Sequence, residues 1–211
     1  GKFLASYEAQ EFVGSEVRIL SDTEIEGYTR IRNGWNFSTA YTVYFHARFD
    51  TPAESFGTWK DDRKAPGVTE QADNNSKCGA WFTFITNGHK TVKVKVGISY
   101  MGYGKAKENI RELGSWDIED ARKKAVDTWN GILSKIDVDT PDTDARKIFY
   151  SSVYRIFLQP SDYAGENPMW ISDEPYYGDY HAIWDTFRAT HPFINLFCPS
   201  KGAEMDQSLV N

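Results

Sequence analysis

The sequence predicts an antiparallel β-sandwich followed by a helical region, and three observations support this. Hydrophobic residues recur at every second position in several segments before about residue 98. Turn residues separate those segments, and no helical spacing lies among them. After residue 100 the hydrophobic spacing changes to steps of three and four, which is typical of amphipathic helices. Strands first and helices afterwards indicate two domains, or a sheet domain that leads into a helical one.

The clearest strand signal is YTVYFHARF, residues 41–49, which alternates between hydrophobic and polar residues as a strand with one buried side does. The valines and isoleucine of residues 92–98 repeat this pattern, with lysines between the valines. Asn87-Gly88 separates that run from AWFTF, residues 80–84, and Asn-Gly favours a type I′ turn. We therefore expect a β-hairpin over residues 80–96. VRIL and EGYTRIR are two further candidate strands.

Residues 51–78 show neither spacing and are rich in charge, glycine and proline. Long segments of this kind in compact domains are often functional or mobile loops. The sequence predicts either a long loop or an irregular excursion of strands, and it does not choose between the two.

Several helices are predicted after residue 100. AKENIREL predicts a short one, and Asp117 is placed to cap a helix of about five turns. Thr140-Pro141 is a second start signal, and Pro160 is expected to end the helix that follows it. A loop of about twenty residues then leads into a helix that contains HAIWDTFRATHP, residues 181–192.

Composition excludes some classes of function. The net charge is −6 and the basic residues are scattered, so we expect no nucleic acid partner. No stretch approaches the ~20 apolar residues of a membrane span, so we expect a soluble chain without a membrane partner. Aromatic residues make up 15% of the chain, which fits either carbohydrate binding or ordinary core packing. Cys78 and Cys198 do not indicate a disulfide framework or a metal site.

The segment HAIWDTFRATHP concentrates polar chemistry in three helical turns. On a continuous helix His181, Trp184, Asp185 and Arg188 share one face, because positions three, four and seven apart are neighbours. An ionised carboxylate in this position accepts hydrogen bonds from two adjacent hydroxyl groups. The alternative is a solvated ion pair between Asp185 and Arg188, with Trp184 in ordinary packing.

The loop before this segment is rich in aromatic and acidic residues. Trp170, Tyr177 and Tyr180 are interleaved with glycines and carboxylates. Aromatic rings stack on the C–H faces of a pyranose, while carboxylates hold its hydroxyls. These three side chains are therefore candidates for the rim of a sugar site.

The chain resembles family 92 glycoside hydrolases, which are exo-acting α-mannosidases. The resemblance depends on YHAIWDTFRATHPFINLFCPS, residues 180–200, and on EMDQSLVN, residues 204–211. It is specific over residues 96–210 and weak over residues 1–90. It implies that residues 1–99 are part of an N-terminal β-sandwich domain, that residues 100–139 are linker helices, and that residues 140–211 are the first helices of an incomplete (α/α)6 barrel.

The resemblance also implies hydrolysis of terminal α-mannosyl linkages with inversion and with calcium. It implies a mannose-containing oligosaccharide, such as an N-glycan or mannan chain, as the partner, and the remainder of the same enzyme as a second one. The general acid, the base and the calcium ligands are expected outside this segment. We expect no catalytic and no metal-binding residue in it, and a secreted, periplasmic or cell-surface location.

What the segment is expected to supply is sugar binding. By the resemblance, Asp185 accepts from hydroxyls of the terminal mannose, Arg188 orients Asp185 or contacts the sugar, and Trp184 forms a wall of the pocket. Trp170 and Tyr177 complete the predicted substrate-binding set. His191, before Pro192, is expected to close the helix, and His181 to be a surface neighbour of Asp185.

Two other classes of function remain open from the sequence. A carbohydrate-binding β-sandwich module would bind glycans without cleaving them, but it has no use for the helices that follow the strands. An interaction scaffold would bury its aromatic residues against a partner chain. The last residues show no helix-ending signal, so we expect the chain to be a segment of a larger protein or to be completed by another chain.

Overall fold

The computed structural model describes residues 10–33, 39–86, 88, 91–169, 171–172, 174–180 and 182–210. Its contacts divide the chain into two compact units, Gly1–Trp116 and Asp117–Asn211. Strands are followed by helices, in agreement with the predicted fold class. The finer domain bounds 1–99, 100–139 and 140–211 stay a prediction.

The first unit contains antiparallel strands in two sheets. They are β1 (Gln10–Ile19), β2 (Glu24–Asn33), β3 (Tyr41–Phe49), β4 (Ser55–Lys60), β5 (Arg63–Pro66), β6 (Glu70–Asp73), β7 (Cys78–Thr83) and β8 (Val94–Ser99). Within the described residues, the larger sheet has the order β6-β1-β2-β3-β8 and the smaller one β5-β4-β7. VRIL and EGYTRIR lie in β1 and β2, as predicted.

The core of this unit lies between the two sheets. Val17, Ile19, Ile25 and Ala47 of the larger sheet are buried, and Phe56, Ala80 and Phe82 of the smaller sheet pack against them. Burial of apolar side chains between two sheet faces is the main stabilising contribution in such a sandwich.

The opposite face of β3 is also covered, because helix α1 (Tyr103–Asn109) packs on it. His46 is 0% exposed, and the ring of Tyr44 meets the ring of Tyr103 edge to face with 5.0 Å between centroids. The prediction that β3 has one buried side is therefore wrong, because α1, which follows the last strand of the sheet in the sequence, covers the side expected to face solvent.

The predicted hairpin over residues 80–96 is wrong. β7 pairs with β4 in the smaller sheet, whereas β8 pairs with β3 in the larger one, so the two runs lie in different sheets. Gly88 has the positive φ of 75° that a turn requires, and Asn87 lies outside the described residues. The alternating face of β8 is exposed, with Val94, Val96 and Ile98 at 52%, 50% and 60%.

The segment 51–78 is an excursion of strands, one of the two alternatives that the sequence left open. It contains β4, β5 and β6, and a two-residue turn joins β4 to β5. Both turn residues, Asp61 and Asp62, have positive φ, which is the conformation of the turns that connect tight hairpins.

The second unit is mainly helical. Its helices are α2 (Ile118–Leu133), α3 (Thr143–Ile156), α4 (Ile183–Thr186), α5 (Thr190–Phe197) and α6 (Pro199–Val210), and the short strands β9 (Ser161–Asp162) and β10 (Tyr177–Gly178) pair with each other. A small core forms around the buried residues Tyr177, Ile194, Cys198 and Met205.

The predicted start of α2 is confirmed, whereas that of α3 is shifted. The carboxylate of Asp117 accepts from the backbone N–H of Glu119 at 3.0 Å, as expected of a capping residue. The cap of α3 is Asp142, which accepts from two backbone N–H groups, and not Thr140. Thr140 instead accepts from the N–H of Asp142, because a carboxylate competes better for the free N–H groups of a helix end.

Candidate functional site

The segment HAIWDTFRATHP is not one helix. Helix α4 is a single turn over Ile183–Thr186, a turn follows over residues 187–189, and α5 begins at Thr190. Pro192 explains the break, since a proline ring clashes with the carbonyl group four residues earlier and permits only the first turn of a helix. The prediction of a continuous helix is therefore wrong. The break lies at Ala189, whereas the N–H of Phe187 still bonds to the carbonyl oxygen of Ile183, so the face that Trp184, Asp185 and Arg188 were expected to share stays a prediction.

Trp184 and Asp185 lie side by side on the one-turn helix α4 and both are exposed. The indole of Trp184 is 77% exposed. Arg188 is exposed as well, and its guanidinium carbon lies 5.3 Å from the centroid of the Phe187 ring. Among the described residues, no ion pair joins Asp185 to Arg188. The carboxylate and the guanidinium are therefore both open to an external partner.

Tyr177 lies in the core of the second unit, where it is 4% exposed. Its hydroxyl group donates to a carboxylate oxygen of Glu204 at 3.1 Å and accepts from the amino group of Lys201 at 2.9 Å. Burial and the nearby carboxylate of Asp162 raise the pKa of Tyr177 above its ordinary value. These contacts explain the position of Tyr177 by packing within the unit. Its contact with a substrate stays a prediction.

Tyr180 is also anchored to helix α6. Its hydroxyl group donates to the carbonyl oxygen of Met205 at 2.7 Å, and burial raises the pKa of Tyr180. Trp170 and His181, two of the residues predicted near the site, lie outside the described residues.

Ser208 is a residue that the sequence did not single out. Its hydroxyl oxygen accepts from the backbone N–H of Tyr177 at 2.8 Å and lies 3.4 Å from the carbonyl oxygen of the same residue. It therefore fixes β10, and with it the loop before α4, to helix α6. EMDQSLVN already contained Ser208, but nothing in the spacing tied its side chain to a residue 31 positions away.

A second unpredicted contact joins Thr186 to His191. The hydroxyl oxygen of Thr186 lies 3.0 Å from Nε2 of His191, across the break between α4 and α5. His191 was expected to close a helix, and it lies instead in the first turn of α5.

No metal site is built in the part of the chain that the structure describes. No group of three or more histidine, cysteine, aspartate or glutamate side chains there is placed to hold an ion. These residues do not fit a calcium ion, so we derive no step through one. Over the same residues, no helix combines the length and the apolar character needed to cross a membrane.

Two family models match the chain. The glycosyl hydrolase family 92 N-terminal domain matches residues 3–99, and the glycosyl hydrolase family 92 catalytic domain matches residues 105–211. A curated protein of Arthroderma benhamiae, described as an uncharacterized secreted glycosidase, is 32% identical over 119 residues, which are 53% of this chain and 16% of that protein.

Solved structures of Bacteroides thetaiotaomicron proteins share the fold. A family GH92 α-mannosidase superimposes with a TM-score of 0.79 at 24% identity, over 94% of this chain and 28% of its own. The same protein in complex with mannoimidazole gives a TM-score of 0.79. A family GH92 inverting mannosidase superimposes with a TM-score of 0.74 at 26% identity, over 87% of this chain and 26% of its own. The chain thus spans about a quarter of the length of these solved relatives.

Proposed function

The chain belongs to glycosyl hydrolase family 92, and from this premise we propose that it is part of an α-mannosidase. The whole protein removes terminal mannose from α-mannosides such as N-glycan or mannan chains. This segment supplies sugar-binding residues and not the catalytic acid or base. The description of the solved relatives as mannosidases supports the substrate class.

The observation that carries the proposal is the exposure of Trp184 beside Asp185. Tryptophan is highly buried on average, so an indole that is 77% exposed in this segment is available to a partner, which is either the sugar or the remainder of the whole protein. An aromatic face next to a free carboxylate suits a pyranose, which offers a C–H face and hydroxyl groups in adjacent positions. Both residues lie in the part of the chain matched by the catalytic domain of the family.

We assign roles by the chemistry of each side chain. The two oxygens of the Asp185 carboxylate accept from two adjacent hydroxyls of the terminal mannose, and charged acceptors make stronger bonds than neutral ones. The ring of Trp184 stacks against the sugar and walls the pocket. Arg188, which the structure leaves without a carboxylate partner among the described residues, donates to the sugar or to Asp185 once the substrate is bound. Trp170 is proposed as a further sugar-binding residue.

We propose inversion as the stereochemical course, since one solved relative is described as an inverting mannosidase. In such a reaction one carboxylic acid protonates the leaving oxygen, and a second carboxylate, roughly 6.5–9.5 Å away, activates a water molecule. We assign neither group to this chain. Its contribution is to hold the sugar so that both groups, from elsewhere in the whole protein, meet the scissile bond.

Calcium is proposed for the whole protein. When bound, a calcium ion would supply positive charge next to the sugar oxygens. We expect EDTA to abolish release of mannose and added calcium to restore it. Activity that is insensitive to chelation would remove calcium from the proposal without affecting the role of Asp185.

The test of the proposal is the kinetics of Asp185→Ala in the whole protein on α-mannosides. Loss of a charged hydrogen bond costs ~1.5–3 kcal/mol, so we expect kcat/KM to fall by about tenfold or more. Asp127→Ala is the matched control, because Asp127 is exposed on helix α2 of the same unit. Wild-type kinetics in Asp185→Ala would remove this residue from the sugar site.

The same assay separates the enzyme from a carbohydrate-binding module. A module would retain α-mannosides without releasing mannose, whatever metal is present. The description of the curated relative as secreted supports a location outside the cytoplasm, at the cell surface, in the periplasm or in the medium.

A further inference from the structure

The hydrogen bond between Thr186 and His191 bridges the break that separates α4 from α5. The two side-chain atoms lie 3.0 Å apart, and both side chains are half-buried. Thr186 follows Asp185 directly on the one-turn helix, and His191 lies in the first turn of the next helix. The bond therefore connects the turn that presents Trp184 and Asp185 to a helix with its own buried anchor, Ile194.

The backbone alone holds this turn weakly. Ala189 has φ −129° and ψ −56°, outside the helical range, so the ladder of helical hydrogen bonds does not continue through it. The N–H of Ala189 still bonds to the carbonyl oxygen of Thr186, at a long 3.3 Å. A single helical turn is not stable by itself in water, because nucleation fixes several residues for one hydrogen bond. The position of Trp184 and Asp185 thus depends on contacts made by neighbouring side chains.

Packing behind the turn is loose and polar. A pocket of about 110 Å³ lies there, and its lining residues are Arg155, Ile156, Gln159, Pro160, Tyr180, Thr186, Thr190 and His191. Side chains therefore do not pack densely against α4 at this pocket, and the Thr186–His191 bond joins α4 directly to α5 at its edge.

Thr186 also has two backbone acceptors near its hydroxyl group. Its hydroxyl group has one proton, and the carbonyl oxygens of Ala182 and Ile183 both lie 3.5 Å from its oxygen. The contact with Nε2 of His191 is the shortest of the three, and the tautomer of His191 decides which of its two atoms donates.

We propose that His191 is a positioning residue of the sugar site, acting through Thr186 on Trp184 and Asp185. The inference rests on the proposed function and adds a residue to it. His191 does not touch the substrate. It sets the orientation of the one-turn helix before the sugar binds. The carboxylate and the indole can then contact the sugar without the free energy cost of ordering the turn.

The experiment measures kcat and KM of the whole protein carrying Thr186→Val or His191→Ala. Loss of one hydrogen bond in the support of a binding group predicts a fall in kcat/KM of about five- to tenfold, mostly as a rise in KM. Thr186→Ser keeps the hydroxyl group and His191→Gln keeps an N–H at similar reach, so both should restore most of the loss. The double variant should be no worse than either single one, because both remove the same bond.

Two further measurements make the result decisive. Hydrogen exchange of the amides of residues 183–187 should become faster in Thr186→Val and stay near wild type in Thr186→Ser. On the Asp185→Ala background, His191→Ala should raise KM by a smaller factor than on the wild-type background, because only Trp184 is then left to be positioned. If His191→Ala does not fold, the Thr186→Val and Thr186→Ser pair carries the comparison.

The outcomes distinguish the two proposals. Unchanged KM in Thr186→Val, or additive effects in the double variant, would overturn the positioning role while Asp185→Ala remains impaired. A purely structural role would lower the yield of folded protein and leave the KM of the folded fraction unchanged. Wild-type kinetics in Asp185→Ala would instead overturn the proposed function, whatever His191 does to hydrogen exchange.

Discussion

Gly97 of β8 lies directly under Ala106 of α1, so closely that a Cβ on Gly97 would stand 2.1 Å from the carbonyl oxygen of Ala106. The same added atom would lie 3.0 Å from the side chain of Ile110. No rearrangement of a flexible side chain can relieve the first contact, because the obstructing atom belongs to the backbone. Glycine at this position is what allows α1 to lie against the larger sheet.

We expect Gly97→Ala to destabilise the contact between β8 and α1. Overpacking of this kind lowers the free energy of unfolding by roughly 1–3 kcal/mol. We expect the upper end of this range because the obstructing atom belongs to the backbone. The measurement is hydrogen exchange of residues 94–110 in the whole protein. Gly104→Ala is the control, because no described atom lies within 4 Å of a Cβ there. It should leave exchange unchanged or slow it, since alanine favours a helix.

We expect Ser208→Ala to loosen β10. Without the hydroxyl group, the buried N–H of Tyr177 loses its acceptor, and an unsatisfied buried donor costs about 1–3 kcal/mol. Exchange of the amides in residues 174–180 should accelerate accordingly. Ser200→Ala removes an exposed hydroxyl group from the same helix and should have no such effect. Equal exchange in the two variants would show that Ser208 does not hold the strand.

Asp73 should make the stability of the first unit depend on pH in the acidic range. The ammonium group of Lys60 and the backbone N–H groups of Ser76 and Asn75 lower the pKa of Asp73 to about 2. A carboxyl group whose pKa is lowered in the folded state stabilises fully above its unfolded pKa of about 3.9, and this stabilisation is lost as the pH falls towards 2.

The matched variant for this prediction is Asp73→Asn. Wild type should resist urea better than Asp73→Asn at pH 6, and the difference between their midpoints should shrink steadily between about pH 4 and pH 2. A difference that does not change with pH would mean that the carboxylate charge contributes nothing.

The order of strands and helices could be predicted because each half of the chain carries one hydrophobic spacing. The pairing of strands could not. Residues 80–84 and 92–98 both alternate and are separated by a turn signal, yet β7 and β8 belong to different sheets. Alternation reports which residues share a face, and it carries no information on which strand is the neighbour. The burial of His46 under α1 could not be predicted either, because that helix follows the sheet in the sequence and the spacing within β3 carries no information about it.

The adjacency of Trp184 and Asp185 was predictable from their positions in the chain, whereas the break between α4 and α5 was not predicted. Pro192 was the available signal against a continuous helix. The interior position of Tyr177 had no signal either, because tyrosine suits a core as well as a rim when a polar partner meets its hydroxyl group. That partner is Lys201, 24 residues away in the sequence.

The close fit of Gly97 under Ala106 also bears on how the protein is divided for expression. The family's catalytic domain match begins at residue 105, inside helix α1, yet that helix is bound to the sheet. Expression of residues 105–211 would omit the first residues of α1. Expression of residues 1–104 would leave β3 and β8 without the helix that packs on them. A cut between Trp116 and Asp117 follows the boundary that the contacts draw and keeps the sheet with its helix.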